Sequence, residues 1–142
     1  MPVTLTQQEK MLVNKTFYQI VPISDRASEK FYNRLFEIAP EVQPLFNKAN
    51  MTEQRKKLID MIALVVYSLD NIEKVVGAIQ KLGERHKDYG VSQEDYAKVG
   101  AAFLWMLESE LGADYTPEVA DAWTKTYQLL SDTATAGVYD EE

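Results

Sequence analysis

Apolar residues recur along this chain at intervals of three and four, the spacing that gathers them on one face of an α-helix, and no stretch alternates long enough to predict a strand. Leu12, Val13, Phe17 and Ile20 share one such face. Thr6 with Glu9 forms a capping box ahead of them, and Pro22 closes the segment. Ser24 is expected to cap a second helix with Ala27, Phe31, Leu35 and Ile38 inward, broken by Pro40. After the bend "PEVQPLFN", Thr52 is expected to cap a helix carrying Leu58, Met61, Ile62, Val65 and Leu69. A further stripe, Ile72, Val75, Ile79 and Leu82, runs on to His86 and is stopped by Gly90. Ser92 opens the next helix, with Tyr96, Val99, Phe103 and Met106 on one side. Thr116 and Pro117 start the last, which carries Ala120, Trp123, Tyr127 and Leu130. With no internal repeat and no Ser/Gly linker, the pattern predicts one all-α domain over residues 1–142.

Composition narrows the chemistry. A chain of 142 residues, 46% of them hydrophobic, can close a single core. A net charge of -7, with an acidic "YDEE" tail, repels phosphate backbones, so no nucleic-acid partner is expected. The longest apolar run, "MIALVV", is far short of the roughly 20 residues of a membrane span. The N-terminus lacks a signal peptide's apolar stretch, and a cytoplasmic protein without membrane insertion is expected. The absence of cysteine excludes disulfides, thiolate zinc sites, iron–sulfur clusters and thioether-linked haem. The single histidine excludes a His-x-x-x-His zinc pair, and neither a phosphate-cradling glycine loop nor a Gly-x-Ser-x-Gly elbow occurs.

That histidine, His86, continues the Val75, Ile79, Leu82 stripe and should point inward from the end of its helix. A lone histidine on an apolar face is more often a core residue bonded to a nearby carbonyl. A helix-end imidazole can, however, give its Nδ1 proton to the carbonyl four residues back, here Leu82, and leave Nε2 free for a metal. One protein nitrogen cannot hold a bare transition metal, but a porphyrin supplies four more, so haem iron is the common centre that one histidine can anchor. Gln54 extends the inward face of its helix with an amide, or else faces water as a first-turn polar residue. Arg55, Lys56 and Lys57 crowd positive charge near a helix N-terminus, where the macrodipole disfavours it by tenths of a kcal/mol each. They form either a solvated basic face or the surroundings of a bound anion, with Lys57 placed to reach carboxylates at a pocket mouth. Tyr32 brings a hydroxyl to an apolar surface, and Phe46 is by default packing.

The segments "KFYNRLFEIAPEVQPLFN", "TEQRKKLIDMI", "LGERHKDYGVSQEDYAKVG" and "VADAWTKTY", in this order and spacing, closely resemble the single-domain bacterial globins related to the haem domain of flavohaemoglobins. The likeness runs from about Leu5 to about Ser131. It implies a globin fold of six to eight helices around non-covalent haem b. By that resemblance His86 is the proximal ligand, Phe46 packs on the haem, Tyr32 and Gln54 hold the distal positions, and Leu58 lies over the iron. Tyr96 matches a proximal-side tyrosine, while Leu82, Val91 and Lys57 complete the haem contacts. The implied ligands are O2, NO and CO, held with high affinity and slow release, with possible oxidation of nitric oxide to nitrate. Two departures stand out. The glutamate that polarises the proximal histidine in flavohaemoglobins falls at Val138, and no reductase domain follows Glu142, so a separate electron donor is expected. Other classes the sequence allows are a haem-free globin-like module, a gas sensor acting through a separate partner, and a hexacoordinate electron carrier.

Overall fold

The computed structural model describes residues 3–138; the acidic tail from Tyr139 to Glu142 lies outside them. The chain forms α1 (Gln7–Ile20), a 3-10 turn (Val21–Ile23), α2 (Ser24–Ile38), a second 3-10 segment (Pro40–Phe46) and α3 (Met51–Tyr67). A third 3-10 segment (Leu69–Lys74) then leads to α4 (Val76–Asp88), α5 (Asp95–Leu111), a short turn (Gly112–Asp114) and α6 (Pro117–Thr135). Among the described residues there is no strand, so the all-α class holds. No helix among them is long and apolar enough to cross a membrane.

Helix starts follow the capping chemistry, with two displacements. The Thr6 box is complete: Glu9 N–H donates to Thr6 Oγ1 at 3.1 Å, and Thr6 N–H to Glu9 Oε1 at 2.8 Å. Thr116 caps α6 and Pro117 occupies its first turn, as expected. Ser92 and Asp95 exchange reciprocal bonds of 2.9 and 3.3 Å in the turn that leads into α5. Ser24, in contrast, does not cap α2. The chain enters that helix already coiled from Val21–Ile23, so the Ser24 N–H bonds to the Val21 carbonyl and no side chain is required. Nor does Thr52 cap α3. Asn50 does, accepting from Glu53 N–H at 3.2 Å, and Thr52 lies inside the first turn. The stripe from Ile72 to His86 is also not one helix: Ile72 lies in the 3-10 segment, just after Asn71 leaves the helical region (φ -144°, ψ 53°), and α4 begins only at Val76. Leu69, expected on α3, belongs to the 3-10 segment that follows it. Gly90, with φ 99°, lies just beyond the end of α4.

The core gathers the predicted faces. Trp123 is fully buried, its ring against Phe103 (5.5 Å between centroids) and Phe17 (6.4 Å). Its indole N–H donates to Thr16 Oγ1 at 2.8 Å, satisfying the one polar atom that so large an apolar group carries inward. Helix α2 packs on α5, α1 and α4 pack on α6, and α3 packs on α1 and α2. Glu110 of α5, its side chain only 4% exposed, is held between Arg26 (2.7 Å) and Lys30 (3.0 Å) of α2. Helices α3 and α4, although consecutive, do not form a packed pair. A Cβ at Gly83 of α4 would collide with the Ala134 carbonyl of α6, so α4 is committed to that neighbour.

Candidate functional site

The candidate residues fall into two clusters, one on α4 and the start of α5, the other on α2, the second 3-10 segment and α3. On α4, His86 is half-buried in the last turn. Burial pushes its imidazole below the usual histidine value and the neighbouring Arg85 charge adds to this, so the ring is neutral at neutral pH. The Ser92–Asp95 turn brings the first turn of α5 beside it, and His86 Nδ1 meets the Tyr96 hydroxyl at 3.4 Å, with ring centroids 6.2 Å apart. The expected bond to the Leu82 carbonyl is not made; a hydroxyl from a separate helix takes that role. Leaving the Nε2 lone pair free requires the proton on Nδ1, with the Tyr96 oxygen accepting it.

Nε2 has no hydrogen-bond partner among the described residues. No half-buried or buried side-chain nitrogen or oxygen among them is both sealed and unpaired, so Nε2 faces space that solvent reaches. Leu82 and Val91 are half-buried nearby in sequence, the Val91 N–H bonding to the His86 carbonyl at 2.9 Å.

The second cluster joins α2, the 3-10 segment before α3, and α3 itself. Tyr32 is 6% exposed, with its ring against Phe31 (4.8 Å), Phe46 (5.6 Å) and Phe36 (6.1 Å). Burial raises its phenol pKa, and the Gln54 amide beside it pulls the other way. Gln54 is therefore turned to the phenol, on an α3 that the Asn50 cap starts two residues earlier than expected. Phe46 and Leu58 are half-buried against the core. Lys57 is exposed and has no ion pair among the described residues. Arg55 needs no external anion, since Asp25 of α2 lies 3.4 Å from it.

Phe36, one helical turn after Tyr32, belongs to this cluster through Phe46 at 5.5 Å and was not singled out from sequence; its spacing from Tyr32 was the available signal. Tyr127, read only as part of an inward stripe, touches the His86 cluster by donating its hydroxyl to the Tyr96 carbonyl at 2.5 Å. Val138 lies beyond the end of α6, where its backbone carbonyl accepts from Lys87 Nζ at 2.7 Å. An open groove of about 320 Å³ lined by Arg26, Lys30, Arg34 and Trp105, among others, includes none of the candidate residues. Among the described residues no three His, Cys, Asp or Glu side chains converge to hold a metal by themselves.

The family model "Globin" matches residues 29–134. Among characterised relatives, the chain is 30% identical over 131 residues to the flavohemoprotein of Bacillus subtilis, covering 86% of this chain and 33% of that protein. It is 28% identical over 130 residues to the flavohemoprotein of Rhizobium meliloti, covering 90% and 32%. The chain thus spans about a third of the length of these relatives. Among solved structures, a bacterial globin from Campylobacter jejuni shares the fold, with a TM-score of 0.81 at 23% identity over 92% of this chain and 94% of that one.

Proposed function

This chain belongs to the globin family, and on that premise we propose that it is a cytoplasmic, single-domain haem protein that reversibly binds O2, NO and CO. The observation that carries the reading is the neutral His86 imidazole with Nε2 unpaired and open, on a helix that does not pack against the one bearing Gln54. The residues present fit the group. One neutral nitrogen needs four further donors that a porphyrin supplies, and the absence of cysteine leaves non-covalent attachment as in haem b. Phe46, Leu58, Leu82 and Val91, none fully covered by protein, offer the apolar contacts that a macrocycle would bury. Lys57 is available to one of its carboxylates.

Ferrous haem supplies an iron site that takes up a diatomic gas and shifts electron density onto it. Tyr32 holds its phenol proton at ordinary pH, because burial disfavours the phenolate, and so serves as a donor. The Gln54 amide is a second donor. Each bond to a polar ligand in a dry pocket contributes about 1 to 3 kcal/mol, and a combined gain of roughly 2.8 kcal/mol slows release about a hundredfold. Phe31, Phe36 and Phe46 pack round the phenol and keep water from competing for its proton. Tyr96, accepting from Nδ1, keeps the imidazole oriented and its Nε2 basic. Position 138, where the resemblance puts the flavohaemoglobin glutamate, is a valine.

Slow release suits storage or scavenging. It also suits conversion of nitric oxide and O2 to nitrate, which consumes one electron per turnover and would need a separate electron donor. The test is stopped-flow O2 dissociation from Tyr32→Phe and Gln54→Ala. Each is expected to release O2 about tenfold faster or more while CO dissociation hardly changes, CO being the less polar ligand. Parent-like O2 release from both variants refutes the distal assignment.

A further inference from the structure

We propose that the outward face of α2, with Trp105 of α5, is a two-fold interface between two copies of this chain, in which α2 lies antiparallel to its counterpart. The inference stands apart from the functional reading above. Arg26, Glu29, Lys30, Asn33, Arg34 and Glu37 recur at the three- and four-residue spacing that gathers side chains on one face of a helix. The opposite face of α2 meets the core through Phe31 and Leu35. All six outward residues line the open groove of about 320 Å³, together with Trp105. Trp105 is 36% exposed, whereas the other tryptophan, Trp123, is fully buried. The Arg34 guanidinium lies 4.9 Å and Lys30 Nζ 5.8 Å from the Trp105 ring centroid, so the indole has neighbours that hold it in place at the surface.

The order of charges on this face is its own complement when reversed. With a two-fold axis midway between Lys30 and Asn33, Arg26 comes opposite Glu37 of the partner subunit, and Glu29 opposite Arg34 of the partner subunit. Lys30 comes opposite Asn33 of the partner subunit. The axis repeats each of these pairs, and no like charges stand directly opposed. Moving the axis onto Asn33 would set Glu29 against Glu37 of the partner subunit, so the pattern specifies register as well as direction. It also selects the occupant. The three cations are balanced by Glu29, Glu37 and Glu110, the last held by Arg26 at 2.7 Å and by Lys30 at 3.0 Å. A neutral patch draws in neither a strongly acidic nor a strongly basic partner, but on a chain of net charge -7 it is a place where two copies can meet without net repulsion. One helix face and one aromatic ring per copy make a small interface, below about 1,200 Å² in total, so weak association, read at about 100 µM, is expected.

The test is sedimentation velocity of the purified protein from about 10 µM to about 1 mM. The parent is expected to pass from monomer to dimer over this range. Glu29→Arg would face Arg34 of the partner subunit, and Arg34→Glu would face Glu29 of the partner subunit; each is expected to weaken self-association about tenfold or more. Mixed in equal amounts, the two variants are expected to associate with each other as the parent does with itself, because arginine then meets glutamate at both places. A variant ending at Val138 is expected to dimerise like the parent. A parent that stays monomeric at the highest concentration, dimers that both single variants leave intact, or a mixture of the two variants that stays monomeric overturns the proposal. Loss of the dimer in the variant ending at Val138 would make residues 139–142 the occupant of the groove, which also overturns it.

Discussion

Three hydroxyl-bearing residues, buried Tyr32 and Thr16 and half-buried Tyr127, tie separate helices together, and each makes a measurable demand on its surroundings. Trp123 N–H has Thr16 Oγ1 as its partner, so Thr16→Val leaves a buried donor unpaired and is expected to lower unfolding free energy by about 1 to 3 kcal/mol in denaturant titrations. Tyr32 and Tyr127 both have raised pKa values, so the folded state keeps their protons longer than the unfolded chain does. Their contribution is therefore whole below about pH 10, the ordinary phenol value, and is lost as pH rises above it. Denaturant unfolding across that range should show a shallower loss of stability for Tyr127→Phe than for the parent; parallel curves would contradict the burial assigned to this phenol. At this scale the sequence was informative where a residue lay on a long stripe, as His86 and Trp123 do, or where the family resemblance supplied its place, as for Tyr32 and Gln54. It misdirected the Nδ1 bond. The Leu82 carbonyl is the partner that a single helix offers, whereas Tyr96 becomes available only when α5 folds back beside α4.

Among the helices, α3 shows how an end sets the chemistry of a site. Periodicity locates the inward face of a helix and is nearly silent about which of two neighbouring cap-forming residues starts it. Asn50 and Thr52 are both good cap types, and the structure selects Asn50. Asn50→Ala is thus expected to cost about 1 kcal/mol and to loosen the first turn carrying Gln54, while Thr52→Ala changes stability by a few tenths at most. Equal losses in thermal unfolding would restore Thr52 as the cap. The break at Asn71 was equally hidden, since Ile72 and Val75 fit the α4 stripe by spacing and no proline or glycine marks the kink. That break separates the end of α3 from the start of α4, and α4 then docks on α6. The faces of six α-helices could be read from the sequence, but this parting of α3 from α4 depends on packing.

Taken as one body, the protein is a helical shell in which two consecutive helices, bearing Gln54 and His86, do not form a packed pair. Such an arrangement loses apolar contact that a ligand would restore, so a group bound only by the folded state should raise its stability by mass action. The family and the helical class were legible because joint spacing over most of the chain is specific where no single motif is; the ligand was not, since one histidine is equally compatible with core packing. Everything proposed for the molecule depends on whether His86 holds iron. The direct measurement is a visible-absorption titration of the purified protein with haem, run alongside His86→Ala with and without added imidazole. The account predicts a Soret band that sharpens to an equimolar endpoint in the parent, fails to do so in His86→Ala, and is recovered there when imidazole is supplied. A parent whose spectrum stays that of free haem, or a His86→Ala variant with the parent's spectrum, would contradict it.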